Sequence, residues 1–159
     1  MARFFVTGSS DGIGRETARQ LIAAGHHVVV HARTVVRAGD ARRALPKAAG
    51  VVVGDLASLS QTRDLAHTAA DAGPFDAVVH NAGVGGQPTD RALTADGLER
   101  IFQVNVVAPY LLTAIMPTPE RLVYLTSRLQ STGRAHLDDL QQSGLLAALD
   151  TITGVQLTS

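Results

Sequence analysis

The sequence contains no cysteine, which excludes disulfides and thiolate chemistry. Its 14 basic residues balance its 14 acidic residues, so charge gives no reason to expect a nucleic-acid partner. No apolar run approaches the ~18 residues that a membrane-spanning helix needs, so we expect no membrane partner. The apolar segment 3–7 follows Met1 too closely to leave room for a signal peptide, and we expect a cytoplasmic protein.

Side chains that commonly carry chemistry are scarce. Lys47 is the only lysine, and the only tyrosines are Tyr110 and Tyr124. His27 and His31 are four residues apart, but they fall on a predicted strand, with no cysteine or paired acid nearby. We therefore expect no metal site.

Short apolar segments alternate with helical patterns along the chain, which indicates βαβ units and a parallel sheet. The predicted strands span residues 3–7, 27–32, 50–54, 76–80 and 121–126. The predicted helices span 12–24, 58–71 and 98–115, with a further helix near 37–45. We predict one α/β domain with an open, doubly wound parallel sheet in the strand order 3-2-1-4-5 and helices on both faces.

A glycine-rich segment, Thr7-Gly8-Ser9-Ser10-Asp11-Gly12-Ile13-Gly14, lies between the first predicted strand and the first predicted helix. In such a turn Gly8 permits the tight bend, Gly12 lets a phosphate approach the backbone, and Gly14 lets helix and strand pack closely. The free N–H groups at the start of the helix would face an anion. The strand before and the helix after favour a dinucleotide-binding loop over an ordinary glycine-rich turn.

This loop and the residues after it resemble the short-chain dehydrogenase/reductase family, whose own form of the loop is Thr-Gly-x-x-x-Gly-Ile-Gly. The resemblance covers residues 2–140, and segment 133–140 resembles the retinol-dehydrogenase-like group. It implies a Rossmann fold and an NAD(P)-dependent oxidoreductase that transfers hydride to or from a carbonyl or alcohol substrate. Within the loop it implies cofactor contacts from Thr7, Gly8, Ser9, Ser10, Gly12, Ile13 and Gly14.

A cation occupies the position that distinguishes NAD from NADP. Domains that bind NAD carry an acid about 20 residues after the glycine loop, where this chain has Ala32 and then Arg33. A guanidinium suits a 2′-phosphate, which favours NADP as the cofactor over NAD. The alternative is that Arg33 is a solvated residue after a strand. Arg37 is a weaker candidate for the same role, and Asp11 stands where some NADP-preferring members carry a basic residue.

The third predicted strand runs into Asp55 and Leu56. This pair resembles an Asp-Leu pair of the family, and the resemblance implies that Asp55 contacts the adenine ring, with Leu56 beside it. The alternative is that Asp55 or Ser58 caps the following helix, and the two roles are compatible.

The fourth predicted strand runs into Asn81-Ala82-Gly83. This tripeptide resembles the Asn-Asn-Ala-Gly motif of the family, with His80 in place of the first Asn. The resemblance implies that Asn81 stabilises the central sheet beside the cofactor and that Gly83 leaves space for it. A bare Asn-Ala-Gly could belong to any loop, but its distance from the glycine loop makes it specific.

Two residues match the catalytic set of the family. Asn105 lies in an Asn-Val context inside the long predicted helix, where the resemblance implies that it bends the helix and holds a water of the proton relay. The alternative is a partly exposed amide on the solvent face. Ser127 follows the fifth predicted strand and would donate a hydrogen bond to the substrate carbonyl. It is not predicted to be a nucleophile, because no Gly-x-Ser-x-Gly elbow surrounds it; the alternative is a turn serine.

The Tyr-x-x-x-Lys pair of the family is absent. In the family this tyrosine transfers the proton, and the lysine lowers the tyrosine pKa and holds the nicotinamide ribose. No tyrosine and no lysine follows Ser127 in this chain. We therefore expect impaired activity, with a non-catalytic NADP-binding module and a non-functional fragment as alternatives.

The last residues match nothing in the family. We predict an incomplete Rossmann domain over residues 1–140, truncated after the fifth strand, and a non-homologous tail over residues 141–159, in a truncated or frame-shifted product. A sheet that stops at this strand exposes an edge rich in leucine and valine that is prone to pair with another chain, which leaves a homo-oligomer open.

Overall fold

Five short strands form one parallel sheet, in the order β3-β2-β1-β4-β5, in the computed structural model of the protein. They are β1 (Arg3–Val6), β2 (His27–Ala32), β3 (Gly50–Val53), β4 (Ala77–His80) and β5 (Arg121–Tyr124). The structure describes residues 1–85 and 93–127. The chain divides into two units, Met1–Leu125 and Thr126–Ser159, of which the second is described only at its first two residues. The sheet belongs to the first unit and confirms the predicted strand order and direction. The predicted tail, 141–159, lies outside the described residues.

The centre of the sheet is buried because its strands are almost entirely apolar. Phe5 in β1 stands opposite Val29 of β2 and Val78 of β4, and all three side chains are at most 2% exposed. Continuous apolar runs of this kind are typical of parallel strands that are covered on both faces.

Helices cover both faces of the sheet. They are α1 (Gly12–Ala23), α2 (Val35–Ala44), α3 (Leu59–Asp71), α4 (Arg100–Phe102) and α5 (Ala108–Ile115), with a π-helical turn, Gln103–Val107, between α4 and α5. Ala18 and Ala41 of α1 and α2 pack into one apolar cluster with Val28 and Val30. Leu65 and Leu112 of α3 and α5 pack into the other cluster, on the opposite face.

The predicted helix over residues 98–115 is interrupted rather than continuous. It begins at Arg100, and its middle turn, Gln103–Val107, is π-helical. Pro109 has no amide hydrogen to donate to the carbonyl of Asn105, which disturbs the α-helical ladder at this point. The disturbance therefore lies at the asparagine that the family resemblance associates with a bend.

The described residues contain neither a candidate membrane span nor a candidate metal site. None of the helices in residues 1–85 and 93–127 has the length and apolar character needed to span a bilayer. The same residues contain no group of three histidine or carboxylate side chains that could hold a metal ion.

Candidate functional site

A cleft of about 410 Å³ opens at the carboxyl edge of the sheet, where the loops after β1, β2, β3 and β4 converge. Parallel α/β sheets bind their ligands at this edge. Most of the predicted cofactor residues line the cleft: Gly8, Ser10, Gly12, Ile13, Gly14, Arg33, Asp55, Leu56, Asn81, Ala82 and Gly83. The topology therefore brings together residues that are up to 75 positions apart in the chain.

Each of the three loop glycines is needed for a different structural reason. Gly8 and Gly12 have positive φ angles, +61° and +53°. A Cβ on Gly8 would lie 2.8 Å from the Cα of Ala82, and a Cβ on Gly14 would collide with the side-chain amide of Asn81 and the carbonyl of Gly8. A Cβ on Gly12 would meet nothing within 4 Å. Gly8 and Gly14 are thus required by packing inside the protein, whereas Gly12 faces open space.

Thr7 and Asn81 join the glycine loop to the loop after β4. The Asn81 side-chain amide donates hydrogen bonds to the carbonyls of Thr7 (2.9 Å) and Gly8 (3.0 Å). The Thr7 hydroxyl accepts hydrogen bonds from the backbone amides of Asn81 and Ala82, each at 3.0 Å. Thr7 is buried and does not line the cleft, so its side chain holds the two loops together.

Ser9, within the glycine loop, is also buried. Its hydroxyl donates to the carbonyl of Val6 (2.7 Å) and accepts from the backbone amide of His31 (2.8 Å). Its own backbone amide donates to the carbonyl of His31 at 3.1 Å. Ser9 therefore anchors the loop to β2 rather than pointing into the cleft.

The ring of His31, which the sequence did not single out for a role, lies at the base of the cleft. The backbone amide of Gly8 donates to its Nδ1 (2.9 Å), and its Nε2 lies 2.8 Å from the carbonyl oxygen of Gly54. Burial lowers the pKa of His31, against smaller opposing effects of the Gly54 carbonyl and of Asp55. A buried histidine needs hydrogen-bond partners. Its place between two apolar residues of a predicted strand was therefore the sequence feature that could have indicated a structural role for His31.

Cationic side chains border the cleft. Arg33 and Arg37 line it and are exposed, and Arg100 lines it from α4. The Arg37 guanidinium lies 3.1 Å from the Asp11 carboxylate. Within residues 1–85 and 93–127, Arg33 makes no ion pair, so its charge is available to a ligand.

The alternatives for Asp55 are resolved in part. Ser58, not Asp55, is the N-cap of α3, because its hydroxyl accepts from the backbone amide of Gln61. The Asp55 carboxylate accepts from the backbone amide of Ala57 (2.9 Å) and lines the cleft. Asp55 therefore holds the turn after β3 while remaining in reach of a ligand.

Asn105 holds the segment after β4. In the π-helical turn its side-chain oxygen accepts from the backbone amide of Val84 (2.8 Å), and its nitrogen donates to the carbonyl of Val84 (2.9 Å). Asn105 is exposed and does not itself line the cleft, whereas Val84 and Gly83 do. Asn105 thus positions the wall of the cleft. Its predicted role in holding a water of the proton relay stays a prediction.

Gln103, in the same π-helical turn, carries a buried side-chain amide that sequence reasoning missed. It is fully buried and donates to the Asp96 carboxylate at 2.7 Å, and it accepts from the Thr94 hydroxyl. The same carboxylate oxygen accepts from the backbone amide of Leu59, at the start of α3 (2.9 Å). The π-helical turn is therefore tied to α3 as well as to the cleft.

His80 replaces the first asparagine of the family motif and makes contacts of its own. Its ring stacks on Tyr124 at 4.8 Å between centroids, and its Nε2 lies 3.1 Å from the Thr113 hydroxyl. The Thr113 hydroxyl is also 3.0 Å from the hydroxyl of Tyr124. Burial lowers the pKa of His80 to about 4, so the ring is neutral at pH 7.

Ser127 belongs to the second compact unit, three residues beyond the end of β5. Its side chain is exposed. Its contact with a substrate stays a prediction.

Comparison with known proteins decides the family. Residues 3–120 match the family model of the short chain dehydrogenases. The chain belongs to the short chain dehydrogenase family. It is 46% identical, over 145 residues, to an uncharacterized oxidoreductase of Emericella nidulans, an alignment covering 90% of this chain and 57% of that protein. It is 34% identical over 160 residues to human retinol dehydrogenase 14, with 85% of this chain and 47% of that protein covered.

Solved structures agree with this assignment. A blue fluorescent protein from a metagenomic library, in complex with NADPH, matches with a TM-score of 0.66 and 29% identity, over 96% of this chain and 69% of that chain. A 3-oxoacyl (acyl-carrier-protein) reductase of Agrobacterium tumefaciens with NADP bound matches with a TM-score of 0.68 and 28% identity, over 84% and 55%. The predicted short chain dehydrogenase resemblance and Rossmann fold are confirmed. The chain spans about half the length of the curated relatives it matches.

Proposed function

We propose that the cleft binds NADP and that the chain is the cofactor-binding portion of an oxidoreductase acting on a carbonyl or alcohol substrate. The observation that carries this proposal is the convergence of the glycine loop, Asp55 and the Asn81–Gly83 segment around one cleft with Arg33 at its border. The related structures that hold NADPH or NADP support a nicotinamide dinucleotide as the ligand.

The start of α1 is suited to the pyrophosphate. Asp11 occupies the N-cap position, but its side chain makes no capping hydrogen bond and pairs with Arg37 instead. The first amides of α1 therefore have no side-chain cap, and the positive end of the helix dipole faces the cleft. Gly12 adds open space at the same point. These features fit a diphosphate.

The choice of NADP over NAD rests on Arg33. Its exposed guanidinium follows β2, where an acid would hold the ribose hydroxyls of NAD. A 2′-phosphate gives this guanidinium a doubly charged, bidentate partner. Arg37, held beside the cleft by Asp11, is a second cation within the same region.

Catalysis is proposed at the level of the family. A bound nicotinamide supplies or accepts the hydride. The residues of this chain that match the catalytic set are Ser127, which would donate to the substrate carbonyl, and Asn105, which holds Val84 and so shapes the cleft wall. The chain contains no tyrosine after Tyr124 and no lysine besides Lys47, so it lacks the residues that move the proton in the family.

A second candidate function follows from that observation. A chain that binds NADP without a proton donor is a binding module rather than a catalyst. Loss of the general acid lowers the rate of the proton-transfer step by about 10²–10⁴-fold. The two candidates share the cleft and differ only in turnover.

The cytoplasmic location and the homo-oligomer stay predictions.

Titration of the 159-residue chain with NADPH and with NADH, followed by cofactor fluorescence, tests the proposal. We expect saturable binding of NADPH and weaker binding of NADH. Arg33→Ala should weaken NADPH binding about tenfold or more and leave NADH binding nearly unchanged. Arg42→Ala, an exposed arginine of α2 that does not line the cleft, is the matched control.

The outcomes separate the parts of the proposal. Equal weakening of NADH and NADPH by Arg33→Ala would refute the 2′-phosphate role. Absence of binding by the wild-type chain would refute the cofactor site itself. Turnover with a panel of ketones and alcohols, measured at 340 nm, distinguishes the oxidoreductase from the binding module.

A further inference from the structure

His31 connects two parts of the cleft through a single ring. It stands in β2 with 3% of its surface exposed. Its Nδ1 accepts from the backbone amide of Gly8 in the glycine loop, and its Nε2 reaches the carbonyl of Gly54, just before Asp55. The ring thus lies between the loop proposed to hold the diphosphate and the turn proposed to contact adenine.

The hydrogen bonds define the form of this ring. Because the Gly8 amide donates to Nδ1, this nitrogen carries no hydrogen, and Nε2 must carry the hydrogen that it donates to the Gly54 carbonyl. A doubly protonated ring would direct a hydrogen at the Gly8 amide. Burial also disfavours the charged form and lowers the pKa of His31. The geometry therefore requires the neutral Nε2–H form.

The backbone of the same residue adds two bonds to the loop. The His31 amide donates to the Ser9 hydroxyl (2.8 Å), and the His31 carbonyl accepts from the Ser9 amide (3.1 Å). Any residue at position 31 could supply these backbone bonds. The link from Gly8 across to Gly54, by contrast, requires a side chain with an acceptor and a donor at the separation found in imidazole.

We propose that His31 is a positioning residue for cofactor binding, whose neutral ring fixes the glycine loop relative to the turn after β3. This inference rests on the proposed function. In this role His31 contacts neither the substrate nor the reacting atoms. Its effect is to hold both ends of the adenosine diphosphate part of the cleft in one arrangement before the cofactor arrives.

Three substitutions separate the two hydrogen bonds. His31→Asn keeps an acceptor for the Gly8 amide, His31→Gln keeps a donor for the Gly54 carbonyl, and His31→Leu removes both. His27→Leu is the matched control, because His27 is exposed at the start of the same strand. We expect His31→Leu to weaken NADPH binding about tenfold or more, with the Asn and Gln variants between it and wild type.

A spectroscopic readout and an exchange readout accompany the titration. Long-range nitrogen–proton correlation of the His31 ring at pH 7 should show Nε2 protonated and Nδ1 unprotonated. Hydrogen exchange of the Gly8 amide should be at least about tenfold faster in His31→Leu than in wild type, because the amide loses its acceptor. His27→Leu should leave both readouts unchanged.

Each outcome decides the inference. Wild-type affinity in His31→Leu, or an Nδ1–H ring, overturns it and leaves the proposed function intact. If His31→Leu does not fold, wild-type affinity in both the Asn and Gln variants overturns it. If the wild-type chain binds no dinucleotide, the proposed function fails, and Gly8 exchange decides alone: faster exchange in the variants supports the link, and equal exchange refutes it.

Discussion

The glycines of the loop differ in how much space surrounds them for a side chain. Gly14 has no room for a side chain, because the Asn81 amide and the Gly8 carbonyl already occupy the space where its Cβ would lie. Gly12 has room but a positive φ, and the space beside it is the cleft. The same residue type thus serves internal packing at one position and ligand access at the other.

Gly14→Ala should therefore destabilise the protein by about 1–3 kcal/mol and abolish measurable NADPH binding, because Asn81 must move away from the loop. Gly39→Ala is the control, since its Cβ would lie 3.7 Å from the nearest atom, within α2. It should stabilise the protein by about 0.5–1 kcal/mol. Urea unfolding and NADPH titration measure both effects, and a Gly14→Ala protein as stable as wild type would contradict the packing argument.

Two side chains, Asn105 and Thr113, make polar contacts from the helical layer to β4, to the segment after β4 and to β5. Asn105 fixes Val84, and the Thr113 hydroxyl contacts the Nε2 of His80 and the hydroxyl of Tyr124. These contacts cross from the helical layer to the carboxyl half of the sheet. The position of the cleft wall therefore depends on the π-helical turn as much as on the strand.

Asn105→Leu should weaken NADPH binding several-fold, because the Val84 amide and carbonyl lose their partners. Asn105→Asp keeps the acceptor for the Val84 amide and should bind more tightly than the Leu variant. The control is Val106→Ala, which alters the adjacent side chain, 51% exposed. Fluorescence titration ranks the variants, and equal affinity of the Asp and Leu variants would argue against the Val84 contact.

The free energy of unfolding should fall as the pH drops from 6.5 towards 4. Folding holds His80 neutral, with a pKa of about 4, whereas an unfolded histidine has a pKa of about 6.5. Between these values the unfolded chain binds a proton that the folded chain does not. The stabilisation is thus complete above pH 6.5 and declines below it, by up to about 1.4 kcal/mol per pH unit for this ring. His31 acts in the same direction.

Urea unfolding of wild type and His80→Gln at pH 7.5 and 5.5 measures this dependence. The variant should lose less stability between the two pH values than wild type does. His67→Gln, which replaces an exposed ring of α3, should behave as wild type. A variant with the full wild-type pH dependence would exclude His80 as the source.

The sequence pattern predicted the central strands well because burial on both faces leaves mostly apolar residues there, as Val28 to Val30 show. It predicted the helix over 98–115 without the π-helical turn, because the effect of Pro109 on the carbonyl of Asn105 does not change the apolar periodicity. The roles of His31 and Gln103 were missed for a related reason. A polar residue in an apolar segment indicates a partner, but the partner of His31 lies 23 residues away at Gly8 and is defined only by the fold.

Among the described residues, β5 forms one edge of the sheet and β3 forms the other. Leu122, Val123 and Tyr124 are 38%, 44% and 52% exposed, and β5 has a sheet neighbour on one side only among the described residues. Exposed apolar edge strands pair readily with other chains. The physical basis of the predicted self-association is therefore present in this part of the structure.

Val123→Lys should reduce self-association of the 159-residue chain, because a charge on an edge strand opposes pairing. Val36→Lys places the same charge on α2, at a valine that is 76% exposed, and should leave association unchanged. Sedimentation velocity at several concentrations compares the three proteins. Equal association of Val123→Lys and wild type would exclude β5 as the contact.

Because of the hydrogen bonds of Asn81, nucleotide binding during synthesis depends on how much of the chain has already been made. The glycine loop leaves the ribosome before Asn81 does, because the amide that closes the loop onto Thr7 comes 74 residues later in the chain. Until that amide arrives, the carbonyls of Thr7 and Gly8 lack this partner and β1 lacks its β4 neighbour. A nascent chain that has not yet exposed Asn81 should therefore be unable to capture a nucleotide, although the whole glycine motif has already been translated.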